Sequence, residues 1–207
     1  TALKNVGDTA LEMTLTNSHD GLAAYHLMAG LFRLACTNGM IVSEATFGMI
    51  KFNHMSFEEK DVIEASYKVI EDAPRIMHKV QEYKQIELKP DEKFGFAQAA
   101  LELKFGDEEV KEDGSNVLIG DRAFNVPALL APRRRDDMSN SLWTVFNIIQ
   151  EKIIQGNNYE RTVRHVNDRI IQKTKVQGIR GIDENIRVNR GLWELLDIFR
   201  EIKQGQA

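Results

Sequence analysis

Apolar and polar residues alternate with a period of two near the start of the chain, where Leu11, Met13 and Leu15 interleave with Glu12, Thr14 and Thr16. That is the pattern of a strand with one buried face, and Asn17-Ser18-His19-Asp20-Gly21 supplies the turn chemistry that ends it. Tyr25 to Leu34 reads as a second strand. Thr37-Asn38-Gly39 is a turn signal, and Met40 to Val42 with Phe47 to Phe52 read as further strands, so this stretch predicts an antiparallel meander of three or four strands.

The period changes after residue 55. Ser56-Phe57-Glu58-Glu59 has the form of a capping box, and Val62, Ile63, Ser66, Val69, Ile70 and Ala73 follow at helical spacing. Pro74 is expected to kink or interrupt this helix before the segment from Ile76 to Leu88, because proline lacks an amide donor and crowds the preceding turn. Pro90-Asp91-Glu92 opens another helix that runs to about Phe105. The stretch GDEEVKEDGSN, residues 106 to 116, has Val110 as its one apolar anchor and reads as a mobile charged loop, a hinge between residues 1–105 and residues 117–207. From Asn140 onward, Leu142, Phe146, Ile149 and Ile153 share one helical face, and Gly156-Asn157-Asn158 ends the run. Tyr159 to Ile182 has no clean period and reads as a basic loop or extended arm. A last helix places Val188, Leu192, Leu195, Phe199 and Ile202 on one stripe, with Asp183 and Glu184 suited to its N-terminus. The expected class is α+β: a strand meander packed by a long helix, then a mainly helical, basic C-terminal half, together forming one compact domain. Strands followed by a long helix is also the element order of single-strand annealing proteins, an analogy that fixes no function.

Composition narrows the class. A chain of 207 residues is long enough to bury a core without a metal or disulfide staple. Cys36 is the only cysteine, which excludes an internal disulfide or a cysteine-rich zinc cluster and fits a reducing cytoplasm. No apolar run reaches the roughly 20 residues that span a bilayer, and the N-terminus lacks a signal-peptide pattern, so the expectation is a soluble cytoplasmic protein with no membrane partner. The chain begins at Thr1 rather than at a methionine, as a fragment or a processed form would. The net charge of -4 conceals an asymmetry: residues 1–114 hold 12 Lys+Arg against 20 Asp+Glu, and residues 115–207 hold 15 against 11. A local basic field of this kind steers nucleic acid even on an acidic chain, and equally suits docking of an acidic half on a basic half, within the monomer or a homo-oligomer.

The densest chemistry is APRRRDDMSNSLWTVFNIIQE, residues 131 to 151. Adjacent guanidiniums repel, so Arg133, Arg134 and Arg135 need anions, either Asp136 and Asp137 or a phosphate or carboxylate ligand. They precede a helix whose N-terminal amides also favour anions. Arg161, Arg164, Arg169, Lys173, Lys175, Arg180, Arg187 and Arg190 continue the basic character, and DNA, single-stranded or partly opened, is the expected partner. Arg33 lies between Phe32 and Leu34, and is either buried with a carboxylate or holds phosphate on an open face. His19 and Asp20 sit in a turn; with Glu151 they form a candidate catalytic set around a divalent metal, in the manner of a nuclease, or else an ordinary Asx-turn. No pair of histidines has metal-ligand spacing, and no cofactor is expected. Asn147, Gln150 and Glu151 form a polar strip at helical spacing, suited to holding a base or to an interhelical network.

At NSHDG (17–21), FRLACTNG (32–39), PRRRDD with SLWTVFNIIQE (132–151) and NRGLW (189–193), the chain resembles the phage- and plasmid-like family catalogued as domain of unknown function 932. The resemblance runs from about residue 11 to residue 200, with the motifs in order. Members usually carry a further N-terminal region, and a glycine pair where this chain has Gly156-Asn157. The recurrent polar residues that the resemblance singles out are His19, Asp20, Arg33, Asn38, Arg133, Arg134, Asp136, Asn147, Gln150 and Glu151. It implies a context of prophages and plasmids, where recombination, replication and conflict with the host are the common tasks.

Overall fold

A computed structural model describes residues 9–16, 25–33, 40–42, 50–52, 59–106, 109–120, 122–133, 137–164 and 170–205. The chain is α+β and divides into two compact units, residues 1–81 and 82–207.

The first unit holds β1 (Thr9–Thr16), β2 (Tyr25–Arg33), β3 (Met40–Val42) and β4 (Ile50–Phe52), with all pairings antiparallel. All four strands fall where alternation and turn residues place them. The topology refines the meander: β1 pairs along the whole of β2, from Thr9 opposite Arg33 to Thr16 opposite His26. β3 pairs with Ala29 to Leu31, and β4 with Tyr25 to Leu27. One edge of β2 is already taken by β1, so β3 and β4 follow one another along the other edge as an interrupted strand. Helix α1 (Glu59–Gln85) comes next and runs unbroken through Pro74, where the sequence predicts a kink or an interruption. A proline removes one helical hydrogen bond, and the turns on either side hold the helix together across that gap. The capping box at Ser56 lies outside the described residues.

The second unit begins inside the last turn of α1. It contains α2 (Pro90–Phe105), β5 (Val110–Asp113), β6 (Asn116–Ile119), β7 (Arg122–Asn125), α3 (Val126–Leu130), α4 (Leu142–Gln155), β8 (Gly156–Arg164), β9 (Ile170–Gln177) and α5 (Ile182–Gly205). The five strands form one antiparallel sheet in the order β5-β6-β7-β8-β9. Two expectations are corrected here. The charged stretch read as a loop over 106–116 carries a strand: Val110–Asp113 pairs with Asn116–Ile119 across a turn whose Gly114 has φ +59°, while the chain divides into its two compact units after residue 81. The segment read as a basic arm from Tyr159 is a hairpin of two long strands, so the C-terminal half, mainly helical as expected, also carries a sheet. Phe105 stacks on Phe124, with ring centroids 4.7 Å apart, and joins α2 to β7. Phe96, Leu101, Leu142, Phe146, Ile149, Leu192 and Trp193 fill the core among α2, α4 and α5.

The last turn of α1 is fastened to α5 by a polar cluster. Tyr83, fully buried, donates its hydroxyl to Asp197 Oδ1 at 2.8 Å, while Arg200 reaches Glu82 at 3.2 Å and Asp197 at 3.1 Å. Burial, and then the Asp197 carboxylate, push the Tyr83 hydroxyl well above the usual phenol range, so it acts purely as a donor. No described helix is long and apolar enough to cross a membrane.

Candidate nucleic-acid interface

Helix α4 positions the residues that the sequence marks out. Ser141 caps it, its hydroxyl accepting from the Thr144 amide at 3.2 Å. Every residue from Leu142 to Ile153 is buried, including Glu151 and Lys152. Charges this deep require partners. Glu151, with 4% of its side chain exposed, accepts from Arg133 Nη1 at 2.7 Å, and Arg133 keeps 47% of its side chain in solvent. Lys152 Nζ donates to the carbonyl oxygens of Ala128, at 2.7 Å, and Ala131. Two consecutive residues of α4 therefore moor the segment that opens the arginine triplet. An anion beside Arg133 is Glu151, which lies 18 residues further along the chain.

Lys152 is a residue that sequence reasoning missed. Burial pulls its ammonium down to about 8, with Glu151 opposing the shift and Arg133 adding to it. Lys104 is likewise pulled to about 8 by burial, and donates to the carbonyls of Ile153 at 2.6 Å and Gln177 at 2.9 Å. The pH dependence follows. The folded protein releases the Lys152 proton near pH 8 and the unfolded chain near its ordinary value of 10.5, so between them the unfolded state binds more protons and stability rises with pH. The Lys152 penalty is complete below about pH 8 and is relieved by 10.5. Urea unfolding of the natural chain and of Lys152→Met is expected to show the difference in midpoint shifting in favour of the natural chain across that window. A difference that stays flat would contradict this assignment.

Of the polar strip on α4, Asn147 bonds within its own helix and Gln150 crosses to α5. Asn147 Nδ2 donates to the Trp143 carbonyl at 2.6 Å, and Gln150 Nε2 donates to Asn189 Oδ1 at 3.0 Å. Asn189 in turn donates to the carbonyl and side-chain oxygens of Asn185. Of the late arginines, Arg187 donates to the Leu103 carbonyl at 2.8 Å, capping the last turn of α2, and Arg190 pairs with Glu194 one turn on. Arg180 is exposed.

The remaining basic candidates gather on the β8–β9 hairpin. Lys173 lies opposite Thr162, Lys175 opposite Glu160 and Arg161 opposite Thr174, with Arg164 at the end of β8. Arg122 of β7 lies opposite Val163. Residues 156–177 hold five Lys+Arg against two Asp+Glu. Arg33 ends β2, opposite Thr9. His19, Asp20, Cys36, Asn38, Arg134, Arg135, Asp136 and Arg169 lie outside the described residues. Among the described residues, no group of three or more His, Cys, Asp or Glu is placed to hold a metal.

The chain is similar to two proteins of Escherichia coli (strain K12), UPF0380 protein YfjQ and UPF0380 protein YafZ, each 31% identical over 191 residues. Each alignment covers 92% of this chain and 63% of the relative, so the chain spans less than two thirds of the length of either. No solved structure matches. The family described as Domain of unknown function (DUF932) matches residues 1–193, and with nearly the whole length covered, the chain belongs to that family.

Proposed function

We propose that this chain binds nucleic acid, with DNA as the substrate, through contacts made mainly to phosphate, and serves recombination or replication of a mobile element. The observation that carries this reading is the β8–β9 hairpin, which places Arg161, Arg164, Lys173 and Lys175 on two paired strands of a net basic segment. A ribbon of this kind is a compact surface on which several phosphates can be met at once. Arg134 and Arg135 follow directly on Arg133, which Glu151 holds at the surface. Arg187 and Arg190 support the reading less, since each has a partner within the protein. The family resemblance supports the mobile-element setting.

Lysines on β9, at the edge of the sheet, also discourage edge-to-edge association, so the test has to separate binding from solubility. Fluorescence polarisation of labelled DNA across a salt series, with Lys173→Ala/Lys175→Ala beside the natural chain, does so. Affinity is expected to fall steeply with salt. The double variant is expected to bind more weakly, with a salt slope shallower by about 0.7–0.9 for each phosphate that is no longer neutralised. Absence of binding at low salt, or an unchanged slope in the variant, would overturn the proposal.

A further inference from the structure

Beside Arg133 the second unit contains a pocket of about 270 Å³, formed where the start of α2, the end of α3, the connection into α4 and α4 itself meet. Pro90, Leu130, Pro132, Val145 and Ile148 supply apolar walls. Met138 stands at the pocket with 70% of its surface in water. Its rim is polar: Lys93 Nζ donates to Asn140 Oδ1 at 2.5 Å, and Ser139 and the buried Asp137 complete the lining. The volume falls just below the roughly 300–1,000 Å³ of ordinary ligand pockets, which suits one planar ring system rather than a peptide or an extended ligand.

Two features together define the occupant. The lining includes two prolines and Met138, and a thioether sulfur makes favourable contacts with aromatic rings. The residue next to Pro132 in the chain is Arg133, half exposed and oriented by Glu151, and two further arginines follow it in sequence. An apolar slot for a flat ring, one residue along the chain from the half-exposed guanidinium of Arg133, matches the two halves of a nucleotide.

We infer that this pocket takes a single unstacked nucleobase from a nucleic-acid strand, one of whose phosphates lies on Arg133. The inference rests on the proposed nucleic-acid binding and adds that the preferred form is single-stranded, since a paired base cannot leave its stack without cost. Met138 is the residue that closes over the base. It is solvent-exposed, so replacing it leaves the core undisturbed.

The test uses the full chain with three labelled probes: a single-stranded oligonucleotide, an abasic sugar-phosphate oligomer of the same length, and a duplex. A second variant, Ser139→Trp, fills the rim from an exposed position and gives up the hydrogen bond that the Ser139 hydroxyl accepts from the Ser141 amide at 3.1 Å, so its fold is checked by circular dichroism. The natural chain is expected to bind the single strand about tenfold or more tighter than the abasic oligomer. Met138→Ala and Ser139→Trp are each expected to remove most of that difference while leaving the salt-dependent affinity for the abasic oligomer in place. Equal binding of the abasic and ordinary strands by the natural chain overturns the base pocket and leaves phosphate binding standing. Absence of binding to every probe overturns both readings. If a free nucleoside monophosphate displaces the strand as effectively as an unlabelled strand does, the pocket serves free nucleotides and the polymer assignment fails.

Discussion

Replacing Trp193 with alanine is expected to destabilise the second unit by about 3–5 kcal/mol, a larger effect than that of any other substitution proposed for this chain. Trp193 is 1% exposed, and its ring meets three others edge to face: Tyr83 at 5.7 Å, Phe146 at 6.2 Å and Trp143 at 6.3 Å between centroids. Those three are themselves stacked, Tyr83 on Trp143 at 6.4 Å and Trp143 on Phe146 at 5.4 Å. Each such pair contributes about 0.5–1.5 kcal/mol beyond the area buried. The cavity left by alanine is bounded by rigid rings on α1 and α4 that cannot collapse inward together. The measurement is urea unfolding followed by far-UV circular dichroism, because removing a tryptophan alters the fluorescence baseline. A loss of less than about 1 kcal/mol would show that the ring cluster does not hold the helices together.

Gly156→Ala is expected to follow closely. Gly156 joins α4 to β8 with φ +71° and ψ -141°, a backbone region essentially restricted to glycine, and forcing a side chain there costs about 1–3 kcal/mol. The steric term adds to this, since a Cβ at Gly156 would sit 2.4 Å from the Val176 carbonyl oxygen and 2.5 Å from the Gly178 amide nitrogen. Both are backbone atoms at the end of β9, and they cannot swing aside as a side chain can. Gly114→Ala is the control: φ is also positive, at +59°, but nothing lies within 4 Å of the added methyl, so it is expected to cost about 1 kcal/mol. The two variants should differ in thermal midpoint by several degrees. On the proposed reading they should differ in DNA affinity as well, because Gly156 lies opposite Gln177 in the hairpin that carries the basic residues. Equal destabilisation by the two substitutions would remove this account of the junction.

Much of the fold was legible in the sequence. Period-two alternation placed the first strands, and helical spacing with caps placed the helices at Pro90, Leu142 and Ile182. The β8–β9 hairpin was missed because its alternation is between charged residues and β-branched ones, as in Arg161-Thr162-Val163-Arg164 and Ile171-Gln172-Lys173-Thr174-Lys175-Val176. The β-branched content was the available signal. In the 106–116 segment the dipeptide Asp113-Gly114 carried a hairpin signal, masked by the density of charge around it. The site was less legible. That Arg133 finds Glu151, and Lys152 two carbonyls of another element, are contacts across 18 to 24 residues, set by how α4 packs. Local spacing contains no trace of them. The spacing of Asn147 and Gln150 marks a polar strip, whereas the bond from Gln150 to Asn189 depends on how α5 packs against α4.

The border between the units at residue 81 falls within α1 rather than in a connecting segment. In a continuous helix the amides of residues 82 to 85 are satisfied by the carbonyls of residues 78 to 81, one turn back. Cutting the chain at the border would therefore expose four donors at the very turn where Tyr83 must sit against Trp143 and Trp193 and reach Asp197. The shortest fragment that preserves the aromatic cluster has to begin at least one helical turn upstream, so two compact units of structure do not translate into two pieces that can be separated at the boundary.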